Sequence, residues 1–190
     1  GNADGAGAVD RGRLGGRKYF ERDGELRNGF GSQVELNAYV EKLVAEKGDR
    51  PSLYPEEEKQ TLSLYSGAGG LEKGGAEGRG LLDEYYTPLP VAKLAWQIVT
   101  DNLPLDVPNP KVLEPSIGTG IFAYTAPQGA EILGNEINKT SGIIAHILNP
   151  EISVENKPFE DFFITKNGTK KEFEASFDVV IGNPPYGKHR

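Results

Sequence analysis

Apolar positions recur along this chain in two rhythms. From Leu36 the series Leu36, Tyr39, Val40, Leu43, Val44 has the spacing of one helix face. Ser32 followed by Glu35 forms a capping-box pattern ahead of it, and Gly48 supplies the stop. A second helix is predicted from Pro55 to about Tyr65, with Glu56, Glu57 and Glu58 at the positive end of its dipole. A third is predicted to open at Thr87-Pro88, an N-cap followed by proline at the first helical position, with Val91, Leu94, Ala95, Ile98 and Val99 as its apolar face. Beyond Pro104, Pro108 and Pro110 the rhythm shortens. KVLE (111–114), EILGNE (131–136), ISVE (152–155) and FDVVIG (177–182) read as strands, with helices after Gly120 and from Lys139 to Leu148. This order predicts an α/β fold with a parallel sheet.

Glycine divides the rest. Nine of the 25 glycines fall in residues 1–31 and seven in 67–80. Residues 1–31 read as a flexible Gly-rich lead-in, and residues 32–80 as a helical linker segment that ends in a long loop, 66–80. The arginines of the lead-in are interleaved with acids, and no strand precedes the glycines of the loop, so neither stretch reads as a phosphate site.

Composition removes several chemistries. With no cysteine there is no disulfide scaffold, thiolate metal site or cysteine nucleophile. Two histidines, His146 and His189, give no zinc-hydrolase spacing, and no metal site is predicted. No apolar run approaches the roughly 18 residues a transmembrane helix needs, so a cytoplasmic protein without a membrane partner is expected. The net charge is −7, whereas proteins that grip a nucleic-acid backbone unaided carry a positive excess. A nucleic-acid partner would therefore be held mainly by something else. The chain contains no methionine, and it reads as a piece of a larger protein.

Three constellations carry candidate chemistry. Glu114-Pro115-Ser116-Ile117-Gly118-Thr119-Gly120 lies where the first strand gives way to a helix, the crevice position of an open α/β sheet, and Gly118 and Gly120 let a ligand approach the backbone. Glu136 ends the second strand, placed to accept hydrogen bonds from both hydroxyls of a ribose. Asn183-Pro184-Pro185-Tyr186 follows the last apolar strand. Its two prolines hold the backbone extended, so the Asn183 side-chain oxygen and the Pro184 carbonyl become paired acceptors beside the Tyr186 ring. Two acceptors and an aromatic plane suit a planar amino group.

Together with Tyr86-Thr87-Pro88, these segments resemble the amino-group DNA methyltransferases that make N6-methyladenine, over about residues 80–187. Upstream, Leu36-Asn37-Ala38, Leu64-Tyr65-Ser66-Gly67 and Gly69-Gly70-Leu71 resemble the methylase part of very large phage- or plasmid-borne helicase–methyltransferase proteins. The resemblance implies a partial Rossmann-like methyltransferase fold with an N-terminal helical segment. Residues 81–190 would form the first part of a catalytic domain whose later strands and target-recognition region lie outside this sequence. It implies S-adenosyl-L-methionine as cofactor and DNA as partner, bound mainly through those outside regions, with helicase or nuclease parts in the parent polypeptide.

Residue by residue, the resemblance assigns Tyr86 and Thr87 to the methionine carboxylate of the cofactor. Glu114, Pro115, Ser116, Gly118 and Gly120 fall to the methionine portion, and Glu136 to the ribose. Asp161 with Phe162 would read the cofactor adenine, with Glu160 as the alternative. Asn183, Pro184, Pro185 and Tyr186 would receive the target base. Methylation of a protein glutamine or of an rRNA guanine is a competing reading, as is a non-catalytic interaction module; Glu-Pro-Ser in place of the usual Asp/Glu-x-Gly turn favours DNA.

Overall fold

The chain is described by a computed structural model covering residues 29–67, 87–104, 107–165, 168–169 and 176–184. Four parallel strands make its central sheet: β1 (Lys111–Glu114), β2 (Glu131–Asn135), β3 (Ser153–Glu155) and β6 (Val179–Val180), in the order β3-β2-β1-β6. Two more strands, β4 (Ile164–Thr165) and β5 (Gly168–Thr169), form a separate antiparallel pair. Val112 pairs with both Ile132 and Val179, so a row of β-branched side chains crosses the sheet into its core. The expected parallel α/β arrangement is present. The last strand is shorter than FDVVIG suggested, although bonds from Asp178 N to Lys111 O and from Ile181 N to Leu113 O extend its register. It lies at the sheet edge with Val180 67% exposed.

Helices α4 (Ile121–Thr125) and α5 (Lys139–Leu148) connect the first three strands. Asn138 caps α5, its side-chain oxygen accepting from Ser141 N at 3.1 Å. Helix α3 (Leu89–Asn102) packs on α4, where the Trp96 indole N–H donates to the Phe122 carbonyl at 2.8 Å. This contact corrects the predicted face of α3. The buried positions are Ala92 and Trp96, with Leu89, Ala95, Val99 and Leu103 beside them, while Val91, Leu94 and Ile98 are exposed. A single indole that needs both burial and an acceptor outweighs three aliphatic side chains in setting the rotation. The helix start is also corrected: Pro88, not Thr87, occupies the N-cap, and Pro90 falls in the first turn, where the backbone N–H it lacks has no partner inside the helix.

Residues 29–67 pack against the strand-bearing part of the chain. Helices α1 (Gln33–Lys47) and α2 (Glu56–Ser63), with a 3₁₀ turn at Pro51–Leu53 between them, share a core with the outer face of α5. Leu36, Val40, Leu43, Val44, Tyr54 and Leu62 meet Ile144, Ile147 and Leu148 there. The capping box forms with a shift: Ser32 Oγ accepts from Glu35 N, and Glu35 Oε2 accepts from Gly31 N. The upstream motif pieces are brought together by Asn37, which donates to Gly67 O at 2.7 Å and accepts from Ser66 N. His146 of α5 and Asp49 just past α1 are 2.6 Å apart across the same junction. Most of the lead-in (1–28) and of the glycine loop (68–80) lies outside the described residues.

Helix α6 (Phe159–Phe163) and the β4–β5 pair were not expected. Helix α6 follows β3, and Phe162 is wholly buried, its ring in T-shaped contact with that of Phe163.

Candidate active site

The carboxyl ends of β1, β2 and β6 and the turn after β3 open onto one cavity of about 390 Å³. Thr87 reaches it from just ahead of α3, and Phe159 and Glu160 from the start of α6. A parallel sheet places its ligand crevice at this end because every strand delivers its following loop to the same edge.

The glycine turn forms the floor. Pro115, Ser116, Ile117, Gly118 and Thr119 all line the cavity. Ile117 N donates to Asn135 O at 2.9 Å, and Gly118 N to Glu136 Oε2 at 2.9 Å, so the turn is tied to the end of β2. Ile117 lies over Gly134, where an added Cβ would stand only 2.5 Å from its Cδ1. Gly120 does not line the cavity. It enters α4 with φ +88°, and a Cβ there would meet Asn149 Nδ2 at 2.8 Å and the α5 backbone at 3.2 Å. Its part is to let α4 and α5 close behind the turn.

Two of the three carboxyl groups lining the cavity among the described residues, Glu136 and Glu114, stand under different conditions. Glu136 accepts from Gly118 N through Oε2 and from Asn138 N through Oε1, at 2.9 and 2.8 Å. Glu114 is 1% exposed, and its Oε2 has no hydrogen-bond partner among the described residues. Burial, and secondly the charge of Glu136, hold its carboxyl well above the usual carboxylate range. Asn135 donates to Lys157 O at 3.1 Å, while its side-chain oxygen is buried and without a donor. The cavity walls thus hold two buried side-chain oxygens, Glu114 Oε2 and Asn135 Oδ1, without a partner among the described residues.

The upper rim is apolar. Ile137 and Phe159 line it and are both more than half exposed, as side chains waiting for a flat apolar ligand would be. Lys157, paired with Glu155, and Glu160 stand beside them. Asn183 and Pro184 complete the wall.

Thr87, Glu114, Pro115, Ser116, Gly118, Glu136, Asn183 and Pro184 therefore meet in one cavity, as does Glu160, the alternative adenine reader. Asp161 and Phe162 do not line it. The start of α6 turns Phe159 and Glu160 inward; Phe162, three residues on, faces the interior and Asp161 faces solvent. Tyr86, Pro185 and Tyr186 lie outside the described residues. Sequence reasoning did not single out Ile137, Phe159 or Asn135. Ile137 was signalled only by being large and apolar directly after Glu136, and Phe159 only by being large and apolar directly after Pro158.

An S-adenosylmethionine molecule fits this donor set on chemical grounds. Its ammonium and adenine amine carry the N–H donors that Glu114 Oε2 and Asn135 Oδ1 lack, its ribose carries hydroxyls for Glu136, and its adenine is a flat apolar ring for Ile137 and Phe159.

The profile of the Eco57I restriction-modification methylase family matches residues 92–190, just over half of the chain. Defense against restriction protein B of Escherichia phage P1 is 40% identical over 132 residues, covering 70% of this chain and 5% of that protein. This chain thus spans only about a twentieth of that relative's length. Among solved structures, the methyltransferase subunit of a type I restriction-modification system from Streptococcus thermophilus aligns with a TM-score of 0.43 and 20% identity, covering 85% of this chain and 42% of that one. A protein-L-isoaspartate O-methyltransferase aligns with a TM-score of 0.35 and 14% identity, covering 80% and 47%.

Proposed function

Since the chain belongs to the Eco57I restriction-modification methylase family, we propose that its cavity holds S-adenosyl-L-methionine and presents it to the N6 amino group of an adenine flipped out of DNA. One observation carries the reading: Asn183 and Pro184 open onto the same cavity as Glu114 and Glu136. A donor cradle and a pair of amine acceptors in one space are what an in-line methyl transfer to nitrogen requires.

When bound, the cofactor would supply an activated methyl group on sulfur, so the protein needs neither nucleophile nor metal for the transfer itself. Thr87 and the Ser116–Gly118 turn would hold the amino-acid end, and Glu136 the ribose. Ile137 and Phe159 would cover the adenine, with Glu160 at its edge. This replaces the sequence assignment to Asp161 and Phe162.

Asn183 and Pro184 act on the other reactant. An exocyclic amine donating to two carbonyl oxygens is fixed in direction and gains electron density on nitrogen. The adenine must leave the duplex to reach them, at a cost of a few kcal/mol. Tyr186, next to the second proline, would offset part of that by stacking, worth about 1–3 kcal/mol per base. The acidic charge of the chain fits a division of labour in which other parts of a longer protein grip the duplex.

Tritium-labelled cofactor offered with adenine-containing DNA, RNA and a Gly-Gly-Gln peptide to the full-length protein carrying this sequence separates the substrate classes; label is expected in DNA alone. Asn183→Ala in that protein is expected to lower DNA methylation by on the order of 10²-fold while leaving cofactor affinity within a few-fold. Methylation within a few-fold of wild type sinks the acceptor role.

A further inference from the structure

Glu114 stands out among the cavity groups. It is almost completely enclosed, its Oε2 lines up with no donor among the described residues, and the side chain borders the ligand space. Among the described residues, the charged and titratable groups lining the cavity with it are few. Glu136 faces the same cavity from the end of β2 and adds negative charge. Lys157 and Glu160 border it beyond β3, the former neutralised by its pairing with Glu155. The other described residues lining the cavity, Ile121, Phe122, Asn183 and Thr87 among them, are uncharged. A carboxylate in such a place has nothing to balance its charge until a cation arrives.

We infer that Glu114 selects for positive charge: a ligand carrying a cationic ammonium or sulfonium group binds with release of one proton from this side chain, and a neutral nucleoside binds without it. The inference rests on the cofactor reading above and adds to it a proton balance and a basis for discrimination. Without a ligand, burial and secondly the charge of Glu136 both favour the protonated carboxyl. A cation beside Oε2 reverses that preference. The O–H bond breaks, the proton leaves to solvent, and the carboxylate accepts hydrogen bonds from the ligand. Binding and deprotonation are then linked, and affinity for a cation rises with pH until Glu114 is ionised in the empty site. A neutral ligand gains nothing from the same change.

Calorimetry tests this directly. Binding of S-adenosylmethionine and of 5′-methylthioadenosine, the uncharged nucleoside thioether, is measured near neutral pH in phosphate and in Tris, whose different ionisation heats report protons released. Net proton release with S-adenosylmethionine, and close to none with the thioether, is expected. Glu114→Gln, which keeps the shape, is expected to abolish the release and to weaken S-adenosylmethionine on the order of tenfold, with little effect on the thioether. Binding of S-adenosylmethionine without proton release by the wild-type protein, or equal release by the variant, overturns the inference and leaves the cofactor reading standing. Failure of the wild-type protein to bind either compound removes the cofactor reading and the inference with it.

Discussion

The backbone N–H of Gly118 donates to the Glu136 carboxylate across 2.9 Å, joining the turn after β1 to the end of β2 before any ligand is present. The residue expected to hold a ribose is thus also the staple of the glycine turn, because its second oxygen accepts from Asn138 N. Shape and ligand contact depend on one side chain.

Removing that staple is expected to cost stability as well as binding. Glu136→Ala leaves two backbone donors without their acceptor and should lower unfolding stability by about 1–3 kcal/mol in urea titration. Glu136→Gln keeps one acceptor oxygen and should lose less.

Glu114 predicts an unusual pH response of the ligand-free protein. Its folded-state carboxyl is raised, so between the ordinary value of about 4.3 and the raised one the native state binds more protons than the unfolded chain. Stability from this group is therefore present at low pH and lost as pH rises through that window. Urea midpoints followed upward from pH of about 4 should show the decline in wild type and its absence in Glu114→Gln.

Two phenylalanines three residues apart should part company on mutation. Phe162 is 0% exposed, and Phe162→Ala should cost about 3–5 kcal/mol in stability. Phe159 is 54% exposed on the cavity rim, and Phe159→Ala should leave the urea midpoint nearly unchanged while weakening cofactor binding by calorimetry. The reverse pattern would return the adenine contact to Phe162.

Gly120→Ala forces an L-residue into φ +88° with its methyl against Asn149 and the α5 backbone. A loss of about 1–3 kcal/mol is expected from backbone strain alone, read as a lower thermal midpoint in circular dichroism.

The parts of this fold that were legible in the sequence are those governed by local pattern. β1 and α5 have the predicted bounds, and β2 ends one residue short of its prediction, because each is a run of apolar residues punctuated by a cap or a glycine. The rotation of α3 was not legible, since Trp96 is seated by Phe122, 26 residues away. Helix α6 is one turn long, too short for periodicity to tell which of Phe159 and Phe162 turns inward. The cavity followed the same division. Its polar floor came from residue types with distinctive chemistry at strand ends, whereas Ile137 and Phe159 looked like any other large apolar residues until their exposure was known.

Helix α5 is clasped from two sides, with Ala145 toward the sheet and Ile144, Ile147 and Leu148 toward α1 and α2. A gene fragment carrying only the strand-bearing half would expose that aliphatic ridge to water and shed its product as aggregate.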